Sequence, residues 1–315
     1  MEKIPVLAVV GPTASGKTKL GIALAQKFNG EIISADSMQI YKGMTIATAK
    51  PTLQEQEGIS HHLMDFLDPA LSFSVAEYIE LAKKAIEQIH ASGKLPIIVG
   101  GTGLYVNSLL DNISFSEFPV NCERRRYYLS YAEQYGNEAL WQKLKEIDPE
   151  TANELHSNNV GRVARALECY DTTGIKISEQ KKQSKLVPSL YEPLMIGISC
   201  RERAKLYERI DRRVDIMLEN GLLQEAEFYA CNDALQTSSQ AIGYKELRPY
   251  FNGLLTLEEA VANLKRETRR YAKRQLTWFR RDERIHWLFF DDYNCFEELI
   301  KQAENIAADF QSNNK

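Results

Sequence analysis

"GPTASGKT", residues Gly11 to Thr18, follows directly on the apolar run "VLAVV" of Val6 to Val10. The stretch fits the spacing G-x-x-x-x-G-K-[ST]. In that pattern glycines let the backbone wrap an anion, a lysine reaches the terminal phosphates and a hydroxyl meets Mg²⁺ or a phosphate oxygen. These roles fall on Gly11, Gly16, Lys17 and Thr18, while Thr13, Ala14 and Ser15 supply backbone N–H groups between them. An apolar strand before the loop and a helix after it, running to about Phe28, give the motif its setting. Most such loops hold a nucleoside triphosphate, so ATP is the first ligand to weigh.

Outward from the loop, "EIISAD" (Glu31 to Asp36) and "LPIIVGG" (Leu95 to Gly101) read as further buried strands. Between them lies a helix that starts at a Ser74 N-cap and stops at Gly93. Strand–helix alternation predicts an α/β fold, a P-loop NTPase-like parallel sheet flanked by helices. From about Phe115 to Pro188 strand-like runs vanish and helix formers dominate, which predicts an inserted helical domain. The sheet pattern returns with "YEPLMIGISC" (Tyr191 to Cys200), followed by a long helix closed by Gly221 and more helix until "HWLFF" near Trp287. The expected division is a core of residues 1–114 and 191–315 and an insertion of residues 115–190. The tail "QSNNK" reads as disordered.

Hydrophobic residues at 44% and charged residues at 26% fit a soluble globular enzyme. No apolar run nears the roughly 18 residues of a membrane span. The first apolar run leads into a glycine loop rather than a cleavage site, so a secretory signal is not expected. Five scattered cysteines without a C-x-x-C pair argue against a zinc ribbon or a disulfide framework and for a cytoplasmic protein. The net charge of −4 alone would disfavour a nucleic-acid partner, but "KRETRRYAKRQLTWFRRDER" (Lys265 to Arg284) is densely basic.

A triphosphatase wants an acid for Mg²⁺ at the end of a neighbouring strand. "PIIVGGTG" ends in Gly100, Gly101 and Thr102 and supplies none. Asp36 instead stands just past the second strand, at the carboxyl edge where open α/β sheets bind ligands. It can be a turn cap, a magnesium ligand or a general base. His61 and His62 have no ligand-spaced companions and read as structural. Tyr127, Tyr128 and Tyr131 are at helical spacing and read as packing.

"GPTASGKT", "DSMQIYKGM", "TAKP", "VGGTGLY", "RALE", "QAIGYKE" and "RRYAKRQLTWFR" occur in this order from Gly11 to the region of Trp287. Together they resemble the tRNA dimethylallyltransferase family, also called tRNA isopentenyltransferases. The resemblance implies transfer of the dimethylallyl group of dimethylallyl diphosphate to N6 of tRNA adenosine 37, with the diphosphate rather than ATP in the glycine loop. It implies that Asp36 is the base, that Arg213 binds the leaving diphosphate and that Thr102 lies near the reacting amine. Mg²⁺ would bridge the diphosphate through Thr18.

Taking the adenine out of its stack needs a pocket that reads its edge. By the resemblance this falls to Asp36, Ser37, Met38 and Gln39. Arg162 and Arg165, three apart in "GRVAR" after Gly161, share a face on a helix. With Gln240, Tyr244 and Lys245, and with the stripe Arg266, Arg270 and Arg274, they would meet the tRNA anticodon stem-loop. Thr45 and Ala47 stand where Asp and Gly are commoner in the family, and no zinc finger follows the last basic helix. Nothing demands more than a monomer. Three other readings compete: an isopentenyltransferase acting on free AMP, ADP or ATP, a small-molecule kinase, and a non-catalytic RNA-binding protein.

Overall fold

Strand β1 (Ile4–Val10) is an inner strand of the sheet: from Val6 to Val10 its residues are fully buried. An uninterrupted apolar strand of this kind suits a parallel sheet covered on both faces. The computed structural model describes residues 3–113, 122–184, 187–230, 232, 235 and 237–313. In chain order the remaining elements of the first part are α1 (Lys17–Lys27), β2 (Gly30–Ser34), β3 (His61–His62), α2 (Val75–Ala91), β4 (Leu95–Gly100) and α3 (Gly103–Leu110). Five helices follow, α4 (Cys122–Tyr135), α5 (Asn137–Ile147), α6 (Pro149–Glu154), α7 (Val160–Thr173) and α8 (Ile177–Ser184). The chain then forms β5 (Tyr191–Ser199), α9 (Arg203–Glu219), α10 (Leu222–Ala230), α11 (Tyr244–Phe251), α12 (Leu257–Phe279), β6 (Ile285–Phe289) and α13 (Phe296–Asn313).

The six strands make one sheet in the order β3-β2-β4-β1-β5-β6, and every pairing is parallel. The P-loop-like α/β fold is therefore as expected. β1 runs in register with β4 (Val10 beside Gly100) and with β5 (Ile4 beside Tyr191). Ser74 caps α2 in a full capping box with Glu77, so that helix starts where its sequence signals it.

Two elements depart from expectation. His61 and His62 form a two-residue edge strand against Ile32 and Ile33, too short to leave a pattern in the sequence. His62 Nε2 and Lys94 Nζ each lie 2.6 Å from the Glu31 carboxylate, which ties this edge down. The tail read as disordered is helical as far as Asn313, with residues 314 and 315 outside the described set. Leu299, Ala303 and Ala307, four residues apart, bury one face of α13 against Leu20 and Leu24 and carry the helix through its polar end.

The chain divides into two compact units, residues 1–110 with 190–315, and residues 111–189. The expected boundary at 114/115 lies outside the described residues. The smaller unit packs α4 to α8 around Tyr128, Leu140, Leu144, Val163 and Leu167. Within it the fully buried Glu168 accepts from Arg125 at 2.8 Å and from Arg165 at 2.7 Å. Tyr128 is buried and Tyr131 packs against the same cluster, while Tyr127 is exposed. Among the described residues no helix is long and apolar enough to cross a membrane.

Candidate active site

The glycine loop sits at the carboxyl end of β1. Gly11 has φ +144°, and a Cβ there would lie 2.3 Å from the Ile198 carbonyl oxygen of β5, so no larger residue fits so close to the neighbouring strand. Helix α1 starts at Lys17 with Gly16 as N-cap and no side-chain cap, which leaves its first N–H groups free for an anion. Ser15 is fully buried, and its Oγ has no hydrogen-bond partner among the described residues. An orphaned hydroxyl in this position is a donor without its acceptor. Ala14, at the tip, packs against the cluster of Cys200, Leu206, Ile210 and Ala272.

Lys17 Nζ donates to the Pro12 carbonyl at 2.6 Å. Burial, and then the neighbouring Arg213, push its ammonium down to about 7, against the pull of Asp36. Arg213 comes from α9; one guanidinium nitrogen donates to Thr13 Oγ1 at 3.3 Å, and burial lowers its affinity for its proton. Two half-buried cations side by side, without a carboxylate in contact with either among the described residues, make a site that attracts a multiply charged anion.

Asp36 lies just past β2. Its Oδ1 accepts the N–H of Met38 at 2.9 Å and of Gln39 at 3.3 Å, so it caps the turn that it opens. These bonds engage Oδ1 and do not exclude work as a base. Thr102 Oγ1 accepts from Ser37 N at 3.1 Å, and Thr102 N donates to the Ala35 carbonyl at 3.1 Å, which fastens the end of β4 to the Asp36 turn.

One cavity of about 300 Å³ joins these groups. It is lined by Thr13, Lys17, Thr18, Asp36, Ser37, Met38, Gln39, Arg213, Gln240, Lys245 and Arg274 of the expected set, with Gly100 and Gly101 in its wall. Apolar side chains, Ile210, Val214, Met217, Ile242 and Leu264 among them, supply much of the rest. The arrangement can hold a phosphorylated ligand with an apolar portion, with a carboxylate facing it.

Several expected contacts take a different form. Both ends of the Gln39 amide are engaged within the chain: Nε2 donates to the Thr48 and Ala49 carbonyls at 3.1 and 3.3 Å, and Oε1 accepts from Ser34 Oγ at 3.1 Å. Tyr244 is fully buried, stacks on Tyr229 and donates to Glu225 Oε1 at 2.8 Å, so its ring packs in the core instead of facing a ligand. Arg165 is held by Glu168, whereas Gly161 and Arg162 are exposed at the start of α7. On α12, Arg270 pairs with Glu267 at 2.6 Å and points outward, while Arg274 reaches the cavity beside the Tyr271 ring.

Two site-shaping residues were not anticipated. Glu225, on α10, accepts N–H bonds from Thr45, Ile46 and Ala47 and hydroxyl bonds from Thr45 and Tyr244, all at 2.8–3.1 Å. Burial pushes this carboxyl up, but the N–H groups and the Tyr244 hydroxyl outweigh burial and hold it below its ordinary range. The segment it clasps leads into Thr48 and Ala49, which anchor Gln39. Replacing Glu225 by Ala strands these donors at a cost of about 1–3 kcal/mol. Amide exchange at residues 45–47 is then expected to quicken by roughly ten- to a hundredfold, and unchanged exchange would show the clasp to be idle.

The second is Gln275, 6% exposed, which touches both the glycine loop and the end of β4. It stands in the apolar stripe of α12 with Ala260, Leu264, Ala272 and Phe279. A lone amide in such a stripe is the signal that could have singled it out.

No group of three or more His, Cys, Asp or Glu residues suited to a metal exists among the described residues. The oxygens available near the loop, Thr18 Oγ and Asp36, are hard donors of the kind Mg²⁺ takes, but too few for a protein cage.

Fold and site together define a P-loop-type α/β protein whose glycine loop opens into a cavity shared with a carboxylate. The family model described as IPP transferase matches residues 39–282. The chain is 50% identical to a tRNA dimethylallyltransferase of Caldanaerobacter subterraneus over 96% of each protein. It is also 50% identical to one of Acetivibrio thermocellus over 97% of this chain and 98% of that protein. Among solved structures it is similar to the tRNA isopentenylpyrophosphate transferase of Bacillus halodurans, with TM-score 0.74 and 44% identity over 99% of this chain and 98% of that one. A eukaryotic dimethylallyltransferase, solved acting on tRNA, superposes with TM-score 0.82 at 34% identity, over 98% of this chain and 80% of that one. This chain belongs to the IPP transferase family.

Proposed function

We propose that the chain transfers the dimethylallyl group of dimethylallyl diphosphate to N6 of adenosine 37 in tRNA, giving N6-isopentenyladenosine and diphosphate. The observation that carries this reading is the single cavity in which Lys17 and Arg213 stand beside the glycine loop and Asp36 faces them. A bond forms between N6 and the allylic carbon while the carbon–oxygen bond to the diphosphate breaks. Asp36 takes the amine proton. Lys17, Arg213, Ser15 Oγ and the N–H groups of residues 14–18 hold the departing charge, which is where fixed donors lower the barrier most. The apolar wall suits an isoprenoid, which a kinase would have no use for.

Mg²⁺, when bound, would neutralise part of the diphosphate charge. Thr18 Oγ would hold it, with the diphosphate and water supplying most of the remaining ligands. The flipped adenine would enter beside Asp36, Ser37 and Met38, close to Thr102, with Gln240, Lys245 and Arg274 at the same cavity. The Gln39 amide must exchange a bond to Thr48, Ala49 or Ser34 before it can read the base. Arg270 and Arg274 of α12, and Gly161 and Arg162 of the insertion, are suited to the phosphates of the anticodon stem-loop. The division of labour is then a catalytic core of residues 1–114 and 191–315 and a tRNA-contacting insertion of residues 115–190. The enzyme works as a monomer in the cytoplasm.

Radiolabel from dimethylallyl diphosphate is expected to pass to an anticodon stem-loop with adenosines at positions 36 and 37. Transfer to free AMP and none to the RNA would overturn the choice of acceptor.

A further inference from the structure

Gln275 makes two hydrogen bonds to segments that are far apart in sequence. Its Oε1 accepts the Thr13 N–H of the glycine loop at 2.8 Å, and its Nε2 donates to the Gly101 carbonyl at 3.0 Å. Gly101 leads into Thr102, whose Oγ1 fixes the Ser37 N–H next to Asp36. An unbroken line of contacts thus runs from the loop that takes the diphosphate to the turn that carries the base. At Gly101 a Cβ would fall 2.1 Å from Gln275 Nε2, so the amide reaches the backbone only because no side chain is there. The Tyr271 hydroxyl, one helical turn back on the cavity side, interacts with both Thr102 and Gln275.

We propose that Gln275 is a positioning residue that sets the separation between the glycine loop and the Asp36–Thr102 corner. The inference rests on the transferase reading above. The amide contacts no substrate. It consumes the Thr13 N–H, so that donor is withheld from the diphosphate and used instead to lock the loop against β4. Only a side chain with an acceptor on one arm and a donor on the other satisfies both segments. In a displacement at carbon the leaving oxygen and the attacking nitrogen must stand on opposite sides of one atom. A shift of about 1 Å in either support costs on the order of 10²-fold in rate.

The test uses the full chain, an anticodon stem-loop and dimethylallyl diphosphate. Gln275→Leu is expected to lose on the order of 10²-fold in kcat with KM for both substrates nearly unchanged. Gln275→Glu, which keeps the oxygen acceptor and covers the case in which the leucine variant fails to fold, separates positioning from mere packing. Ionised, it cannot donate to the Gly101 carbonyl; protonated, it can make both bonds. Its kcat relative to the unaltered enzyme should therefore rise as the pH is lowered. A ratio that stays flat with pH, or a folded Gln275→Leu enzyme that keeps kcat within about threefold of the parent, overturns the proposal. If the unaltered enzyme transfers nothing to the RNA, the transferase reading fails and this inference falls with it. Failure of the inference alone shows as an active parent and indifferent variants.

Discussion

Asp36→Asn is expected to lower kcat by about 10²–10⁴-fold while leaving the affinity for tRNA nearly unchanged. Asparagine is the informative replacement because Asp36 caps a turn in this fold besides serving as the base in the proposed reaction. Its Oδ1 caps the turn through the N–H groups of Met38 and Gln39, and an amide oxygen can do the same. Only the capacity to take a proton is removed. Asp36→Ala removes both and should lose more, with weaker tRNA binding, because the turn that carries Ser37 and Met38 is no longer fixed. Single-turnover transfer and a separate RNA-binding measurement distinguish the two variants. An asparagine enzyme with near-parental turnover would leave Asp36 as a turn cap and nothing more.

Lys17→Ala should cost about 10²–10³-fold in kcat, the usual loss when one donor to a developing anion is removed. A finer expectation concerns pH. Burial, then Arg213, hold the Lys17 ammonium down to about 7 in the free protein. Diphosphate favours the charged lysine, so the ligand raises this value, and binding takes up a proton wherever the free lysine is neutral. Affinity for diphosphate is then expected to weaken as the pH rises above about 7, by at most about tenfold per pH unit, and to level off below that point. Titration calorimetry in buffers of different ionisation enthalpy counts the proton directly. A Lys17→Met protein should bind more weakly and lose this pH response. Proton uptake that is absent at pH 8 would mean that Lys17 is already charged before the ligand arrives.

The parts of the site that could be read in advance are those fixed by backbone chemistry. The glycine spacing of residues 11–18 and the carboxylate beyond β2 follow from local rules, because a phosphate loop and a strand end need no knowledge of the rest of the fold. The strands were legible for the same reason: an apolar run between turn residues has few other uses. Side chains whose role depends on distant partners were not legible. Tyr244 reads as an available aromatic until Glu225 and Tyr229 are seen to enclose it. Arg165 reads as a free cation until the buried Glu168 claims it, and Gln39 reads as a base-reading amide until three chain atoms occupy it. Gln275 is the reverse case. Its neighbours on the helix are basic and conspicuous, and they conceal one amide whose partners are 174 and 262 positions away.

The placement of β1 between β4 and β5 has a consequence for how the protein is made. On the ribosome β1 and the glycine loop emerge first, and α2 and β4 can close one side of the strand early. Its other side pairs with β5, where Ile4 meets Tyr191, so the helical unit of residues 111–189 must be synthesised before that edge is covered. The helical unit has its own apolar core and can collapse while β1 waits. Through this interval a wholly apolar strand presents an unpaired edge, the kind of surface that chaperones shield and that aggregates when they do not. The Thr13 contact to α12 comes later still, so the phosphate loop is seated only after β5 has been made to cover the open edge of β1.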